Sequence, residues 1–153
     1  MLNKEDLKKV KKITQEFFEK IGFEVEIDFL PQEDLTLPIN LNIEEPQILI
    51  GEGGQTLAEM QHLLKAVLRR KISEPFYINL DINNYKKKKS EYLKELANST
   101  ADDVALMKKE KSLAPMPAYE RRIIHLELVN RADVVTESID QGIERRIIIK
   151  PAP

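Results

Sequence analysis

Apolar residues recur at steps of three and four from Leu7 through Val10, Ile13 and Phe17 to Ile21. That spacing predicts an amphipathic helix over residues 4–21, stopped by Gly22. From Phe23 the period drops to two. Phe23, Val25, Ile27 and Phe29 alternate with Glu24, Glu26 and Asp28, as on a half-buried strand. Pro31–Asp34 reads as a turn. Leu37, Ile39, Leu41 and Ile43 then alternate with Pro38, Asn40 and Asn42 in a second strand, antiparallel to the first. Pro38 offers no ladder donor, which places it near a sheet edge or at a strand start.

A short apolar helical turn, Pro46 to Ile50, runs into Gly51-Glu52-Gly53-Gly54. A strong helix follows, with Leu57, Met60, Leu64, Val67 and Lys71 along one side, and Ser73 to Pro75 ends it. Phe76, Ile78, Leu80 and Ile82 form a third strand. This is a complete small α+β unit, one sheet with helices on one face. Residues 83–110 read as a long helix with an N-cap at Asn83-Asn84 and Tyr85, Leu93, Leu96, Thr100 and Met107 near helical spacing. Pro115 and Pro117 break the pattern. A helix over 118–129 and strands over 134–139 and 145–150, joined by a turn at Gln141-Gly142, complete the chain. The expected organisation is α+β in two units, 1–83 and 84–153. No Gly/Ser-rich linker separates them, so they are expected to pack together or share the long helix.

Composition narrows the function. The chain has 153 residues, 33% charged and 42% hydrophobic, which is globular rather than disordered. No apolar run approaches the roughly 20 residues of a membrane helix, so no membrane insertion is expected. Met1 to Lys12 is too charged for a secretory signal. Cysteine is absent, which removes disulfides and thiol chemistry and fits a reducing compartment. With two histidines, a metal site would need carboxylates to complete it. No cofactor, metal or catalytic residue is expected: there is no nucleophile–base pair of recognisable spacing, no HExxH and no Walker pattern. Net charge is −2, but residues 1–50 hold 6 Lys against 11 acids, residues 51–100 hold 9 Lys+Arg against 6, and the remainder 9 of each. Any anion-binding surface is therefore local.

Two motifs carry candidate chemistry. In Gly51-Glu52-Gly53-Gly54-Gln55, glycines allow turn angles and close approach, and the N–H groups opening the next helix favour an anion such as a phosphodiester. Most G-x-x-G patterns are merely tight turns, and Glu52 sets an acid beside the phosphate position. The second motif is Arg121 and His125. At four residues' separation they lie about 40° apart on a helix and share a face. Glu120 and Glu127 fall on the opposite side, and Tyr119, Ile123, Ile124, Leu126 and Leu128 make most of the remaining circumference apolar, so the helix is expected to be mostly buried. Arg supplies a fork for phosphate oxygens and His a donor or stacking ring. The bland alternative is a structural histidine on a backbone carbonyl, with Arg121 on a surface carboxylate.

Lys86-Lys87-Lys88-Lys89 is either a solvated face or a phosphate track, and Lys65, Arg69 and Arg70 are open to the same two readings. Arg145 and Arg146 face opposite ways on a strand, so at most one joins Arg121. His62 reads as exposed and incidental. For Tyr77, Tyr85 and Tyr119, packing competes with base stacking.

Residues 48–57 sit where a KH domain places its G-x-x-G clamp, and the element order over 4–83 resembles the type-II KH topology, helix-strand-strand-helix-helix-strand. Pro115-Met116-Pro117-Ala118-Tyr119-Glu120-Arg121-Arg122-Ile123-Ile124-His125 resembles the signature of the R-three-H (R-3-H) domain. Val135-Thr136-Glu137-Ser138 through Gly142 to Arg145-Arg146 resembles its C-terminal hairpin. KH followed by R-three-H resembles the Jag family of bacterial cytoplasmic RNA-binding proteins. Members often carry a further N-terminal Jag domain, which this sequence is expected to lack. The resemblance implies a non-catalytic binder of single-stranded RNA, or single-stranded DNA, acting as a post-transcriptional or cell-envelope and division-linked regulator. The implied contacts are Gly51, Glu52, Gly53, Gly54, Gln55, Lys65, Lys86, Lys87, Arg121, Arg122, His125 and Arg145. The competing reading is a protein interaction module, paired with a second KH-domain protein or an envelope regulator, with RNA binding vestigial. A nuclease ranks third.

Overall fold

Residues Lys4–Lys20 form α1, opened by Asn3, whose side chain accepts from the Asp6 N–H at 2.8 Å, with Glu5 and Asp6 in the first turn. The computed structural model describes residues 1–153. The chain divides into two units, Met1–Lys86 and Lys87–Pro153. In α1 the fully buried stripe is Val10, Thr14 and Phe18: Val10 belongs to the apolar periodicity, the other two lie one position on from Ile13 and Phe17, and Thr14 enters the core because its hydroxyl donates to the Val10 carbonyl.

Strand β1 (Glu26–Phe29) pairs antiparallel with β2 (Thr36–Asn42), which pairs parallel with β3 (Tyr77–Ile82). The order β1-β2-β3 makes β2 the central strand, so of the two placements drawn from Pro38 the sheet edge falls and the strand start stands, Pro38 lying near the beginning of β2. Proline is tolerated there because its carbonyl, and hence its missing N–H, faces the Leu30 side, just past the end of β1. Between β2 and β3 the chain crosses over through α2 (Gln47–Ile50), the glycine turn and α3 (Gln55–Lys71). The core joins Val10 and Phe18 to Leu37, Ile39 and Leu41, to Leu57, Leu64 and Leu68, and to Ile78, Leu80 and Ile82.

The link into α4 (Tyr85–Met107) is built differently from the expected Asn83-Asn84 cap. Both asparagines take left-handed backbone angles, and the capping acceptor is Asp81, whose carboxylate takes the Lys86 N–H at 3.1 and 3.2 Å. Asn83 instead extends the sheet: its amide accepts from the Ile43 N–H at 3.0 Å and donates to the Ile43 carbonyl at 2.8 Å.

In the second unit, α4 buries Leu93, Ala97, Thr100, Ala101 and Val104, while Met107 is exposed. The helix ends before residue 110, at left-handed Lys108, and a two-residue strand β4 (Lys111–Ser112) that the pattern did not predict follows. Helix α5 (Ala118–Leu128) and strands β5 (Val134–Ile139) and β6 (Arg146–Pro151) complete an antiparallel sheet of order β4-β6-β5. Ile124, Leu128, Val134, Ile147 and Ile149 join the α4 residues in the core.

Helix α5 is less buried than its apolar circumference implied. Tyr119, Leu126 and Val129 at its end are 52%, 62% and 67% exposed, while Glu120 is buried. One stripe, Glu120-Ile124-Leu128, faces inward. Glu120 is accommodated because it lies in the first helical turn and accepts from the Tyr119 hydroxyl at 3.2 Å, with the Lys89 ammonium at 4.0 Å. No helix is long and apolar enough to cross a membrane.

Asn83→Ala removes two hydrogen bonds to Ile43 and leaves a residue with a Cβ but no side-chain amide at a φ of 48°. The expected loss is about 2–3 kcal/mol, read as a lowered urea midpoint with unchanged slope.

Candidate functional site

Pro115-Met116-Pro117 leads into α5. The residue before a proline is driven to extended geometry, and Pro117 is itself extended at the helix start. Met116 therefore presents its peptide groups sideways. Its N–H donates to the Arg145 carbonyl at 3.1 Å, and its carbonyl accepts from Nη1 of Arg121 at 2.5 Å. One turn further along α5, Nδ1 of His125 hydrogen-bonds with Oγ1 of Thr136. Arg145 donates from Nε to Oγ of Ser138 at 2.9 Å.

Thr136 and Ser138 stand opposite Ile149 and Ile147 in the β5–β6 ladder. Opposed residues share a sheet face, so both hydroxyls lie on the face that carries the core. Arg145, two residues before Ile147, joins that face. Arg146 turns away and is tied to Asp140 at 3.3 Å and Glu144 at 3.0 Å. Arg121, His125 and Arg145 are thus gathered around Met116 and the β5 hydroxyls.

The electrostatics of this group differ from those of its neighbours. Arg131 bonds Asp133 and Asp102 at 2.6 and 2.7 Å, Lys111 bonds Asp103 at 2.7 Å, and Lys150 bonds Glu137 at 2.8 Å. Those hydrogen bonds hold the Asp133 and Glu137 carboxyls below their usual range. By contrast, Arg121 and Arg145 are held by a carbonyl and a hydroxyl, and His125 by a hydroxyl; none makes an ion pair. A guanidinium anchored on a neutral oxygen keeps its whole charge for a ligand.

Other residues singled out from the sequence lie elsewhere. Arg122 is exposed, one step round α5 from Arg121. Gly51, Gly53 and Gly54 take φ of 72°, 59° and 80°. A Cβ on Gly51 would stand 2.1 Å from the Thr56 hydroxyl oxygen, whereas one on Gly53 would meet open space. Gly54 opens α3 with no side-chain cap. Glu52 is exposed, and Gln55 donates to Glu59 at 3.1 Å. Lys65 lies over the Tyr77 ring at 5.3 Å and ten residues along α3 from Gln55, about 15 Å away. Lys86 is exposed along its length, but its ammonium is tucked against Asn79 Oδ1 at 2.8 Å and Gln61 Oε1 at 3.3 Å; desolvation pulls its pKa down, against the opposing pull of Asp81. Lys87 is exposed, and Lys89 is engaged with Glu120. His62 is exposed. Thr136, Ser138 and the Met116 carbonyl were not anticipated. Their one signal was a pair of hydroxyls at period two on a strand beside a buried one.

Residues 91–151 match the R-three-H domain family. The second unit is thus of the R-three-H class. Over most of its length the chain is homologous to proteins named RNA-binding protein KhpB, and it belongs to their family, the Jag family. It is 36% identical to that of Clostridium symbiosum over 136 residues, 88% of this chain and 61% of that protein. It is 35% identical to that of Bacillus subtilis over 116 residues, 74% of this chain and 56% of that protein. Against that of Lactiplantibacillus plantarum it is 32% identical over 111 residues, 72% of this chain and 34% of that protein. The chain therefore spans between about a third and three-fifths of these relatives.

Gly51 and Gly53 should respond differently to substitution. Gly51→Ala forces its Cβ into Thr56 at positive φ and is expected to cost about 3 kcal/mol in chemical denaturation. Gly53→Asp has room and a left-handed angle that Asp tolerates, so a loss below about 1 kcal/mol is expected.

Proposed function

We propose that the chain binds single-stranded RNA without catalysing a reaction, and that Arg121, His125 and Arg145 form its principal contact. The observation that carries this reading is their anchoring on neutral oxygens while neighbouring cations are spent on carboxylates. The homologues' name and the R-three-H match point to the same ligand. Arg122 adds an exposed cation beside this face. The first unit fits a type-II KH domain over 1–83: its observed helix-strand-strand-helix-helix-strand order, with the glycine turn between α2 and α3, supports that assignment. Gly51, Glu52, Gly53, Gly54 and Gln55 would shape a secondary backbone clamp. Lys65, Lys86 and Lys87 would lend it counter-charge. A regulatory role in post-transcriptional or envelope-linked control rests on the family resemblance alone.

A second reading, docking of a protein partner such as another KH-domain protein, draws on the first unit's acidity. A groove of about 800 Å³ is lined by Phe23, Val25, Ile43 and exposed Ile48, and rimmed by Glu24, Glu26, Glu44 and Glu45. No basic residue lines it.

Fluorescence anisotropy with a mixed-sequence single-stranded RNA across a salt series tests both readings. Salt-sensitive binding is expected, weakened at least ten-fold by Arg121→Ala with His125→Ala and only slightly by Gly53→Asp. Arg145→Ala should lower the log–log salt slope by about 0.7, the share of one phosphate contact. Absence of binding at low salt overturns the RNA reading and leaves the protein-partner reading standing, and indifference to the Arg121 and His125 changes overturns their assignment as the principal contact.

A further inference from the structure

We propose that Thr136 is a positioning residue: its hydroxyl donates to Nδ1 of His125 and holds the neutral ring as the Nε2–H tautomer, offering that N–H to the ligand. This inference rests on the RNA-binding reading above.

Neutral imidazole has one donor and one acceptor nitrogen, and the partner of one nitrogen decides which is which. Where Nδ1 meets a carbonyl or carboxylate, it must carry the proton. Here it meets a hydroxyl, which can give as well as take. Thr136 is half-buried, and the ring is its only side-chain hydrogen-bond partner. Were Nδ1 protonated in the neutral ring, the hydroxyl would accept and its own proton would have no protein acceptor. Donation to Nδ1 satisfies both groups at once. Nε2 then carries a proton in the neutral and the charged ring alike, so a phosphate oxygen or base carbonyl meets a donor in either state.

The strand makes this arrangement stiff. Thr136 is β-branched, which restricts χ1, and its strand neighbours fix its register opposite buried Ile149. Ser138 acts in the same manner one pleat along. By engaging Nε of Arg145, it leaves that guanidinium's terminal amino groups for a ligand.

The test is nitrogen NMR of the histidine rings in the ¹⁵N-labelled full chain, at a pH where the rings are neutral, with RNA affinity measured in parallel. Exposed His62 is the internal reference for an imidazole in solvent. His125 is expected to show an acceptor-type Nδ1 and a protonated Nε2. Thr136→Val should relax the His125 tautomer ratio to that of solvent-exposed His62, which already favours Nε2–H, and weaken binding of mixed-sequence single-stranded RNA about five-fold, one hydrogen bond's net worth. Thr136→Ser should keep both, and Thr136→Ala serves should the valine variant fail to fold. A protonated Nδ1 in the neutral wild-type ring overturns the proposal, as does a tautomer indifferent to loss of the hydroxyl. A tautomer change with unaltered affinity overturns the functional half. If the wild-type chain binds no RNA, the RNA reading falls, and the ring signals still decide the hydrogen bond.

Discussion

The backbone of Met116 is bonded twice, once to Arg145 ahead of β6 and once to Arg121 on α5. In an extended residue, N–H and C=O point to the same side. The N–H reaches the Arg145 carbonyl, so the Met116 carbonyl draws the Arg121 guanidinium toward the start of β6. Proline at 117 enforces that geometry and also starts α5, which carries His125 about two turns later to Thr136. Helix start, hairpin and cation cluster thus share one constraint. A residue other than proline at 117 would free Met116 to turn helical and release Arg121.

Glu120 shows why the cluster stays electrostatically open. It is the carboxylate nearest Arg121 in sequence, and on the surface it would be a ready partner. The helix turns it inward instead, where the Tyr119 hydroxyl and Lys89 meet it. Lys89 therefore serves the fold, while Arg121 is left to a carbonyl. Burying a carboxylate is costly unless it is paired and hydrogen-bonded. Here that cost is offset locally, and the outcome is a face bearing positive charge on a chain of net charge −2.

Periodicity made the elements legible: α1, the three strands of the first unit, α3, α5 and the terminal hairpin all lie where the hydrophobic pattern placed them. It was weaker on which residue of an apolar stripe faces the core. Thr14 and Glu120 are buried because partners in their own helix or the facing one satisfy them, and a single strand of text does not show those partners. Pro38 admitted an edge placement because pattern cannot tell that a neighbouring strand stops short. Asn83-Asn84 read as a cap, although the capping carboxylate lies two residues earlier, at the end of β3. The Arg121–His125 spacing was visible on a helical wheel. Their anchors, the Met116 carbonyl for Arg121 and Thr136 on β5 for His125, were not, since the fold alone brings them to α5.

The glycine turn and the Arg/His face are unequal anion sites on physical grounds. At the turn, attraction comes from N–H groups at a helix start, about half an elementary charge. Glu52 stands beside them, and the Gln55 amide is turned to Glu59. An acid at about 4 Å opposes a phosphate by about 1 kcal/mol even in bulk water, comparable to what the dipole contributes. The face on α5 and β5 instead presents two full guanidinium charges and a ring donor, with no carboxylate bonded to any of them. Of the two, the face on the second unit is the stronger anion site, and the glycine turn is distinguished by shape, a backbone that only glycine can adopt at 51 against Thr56.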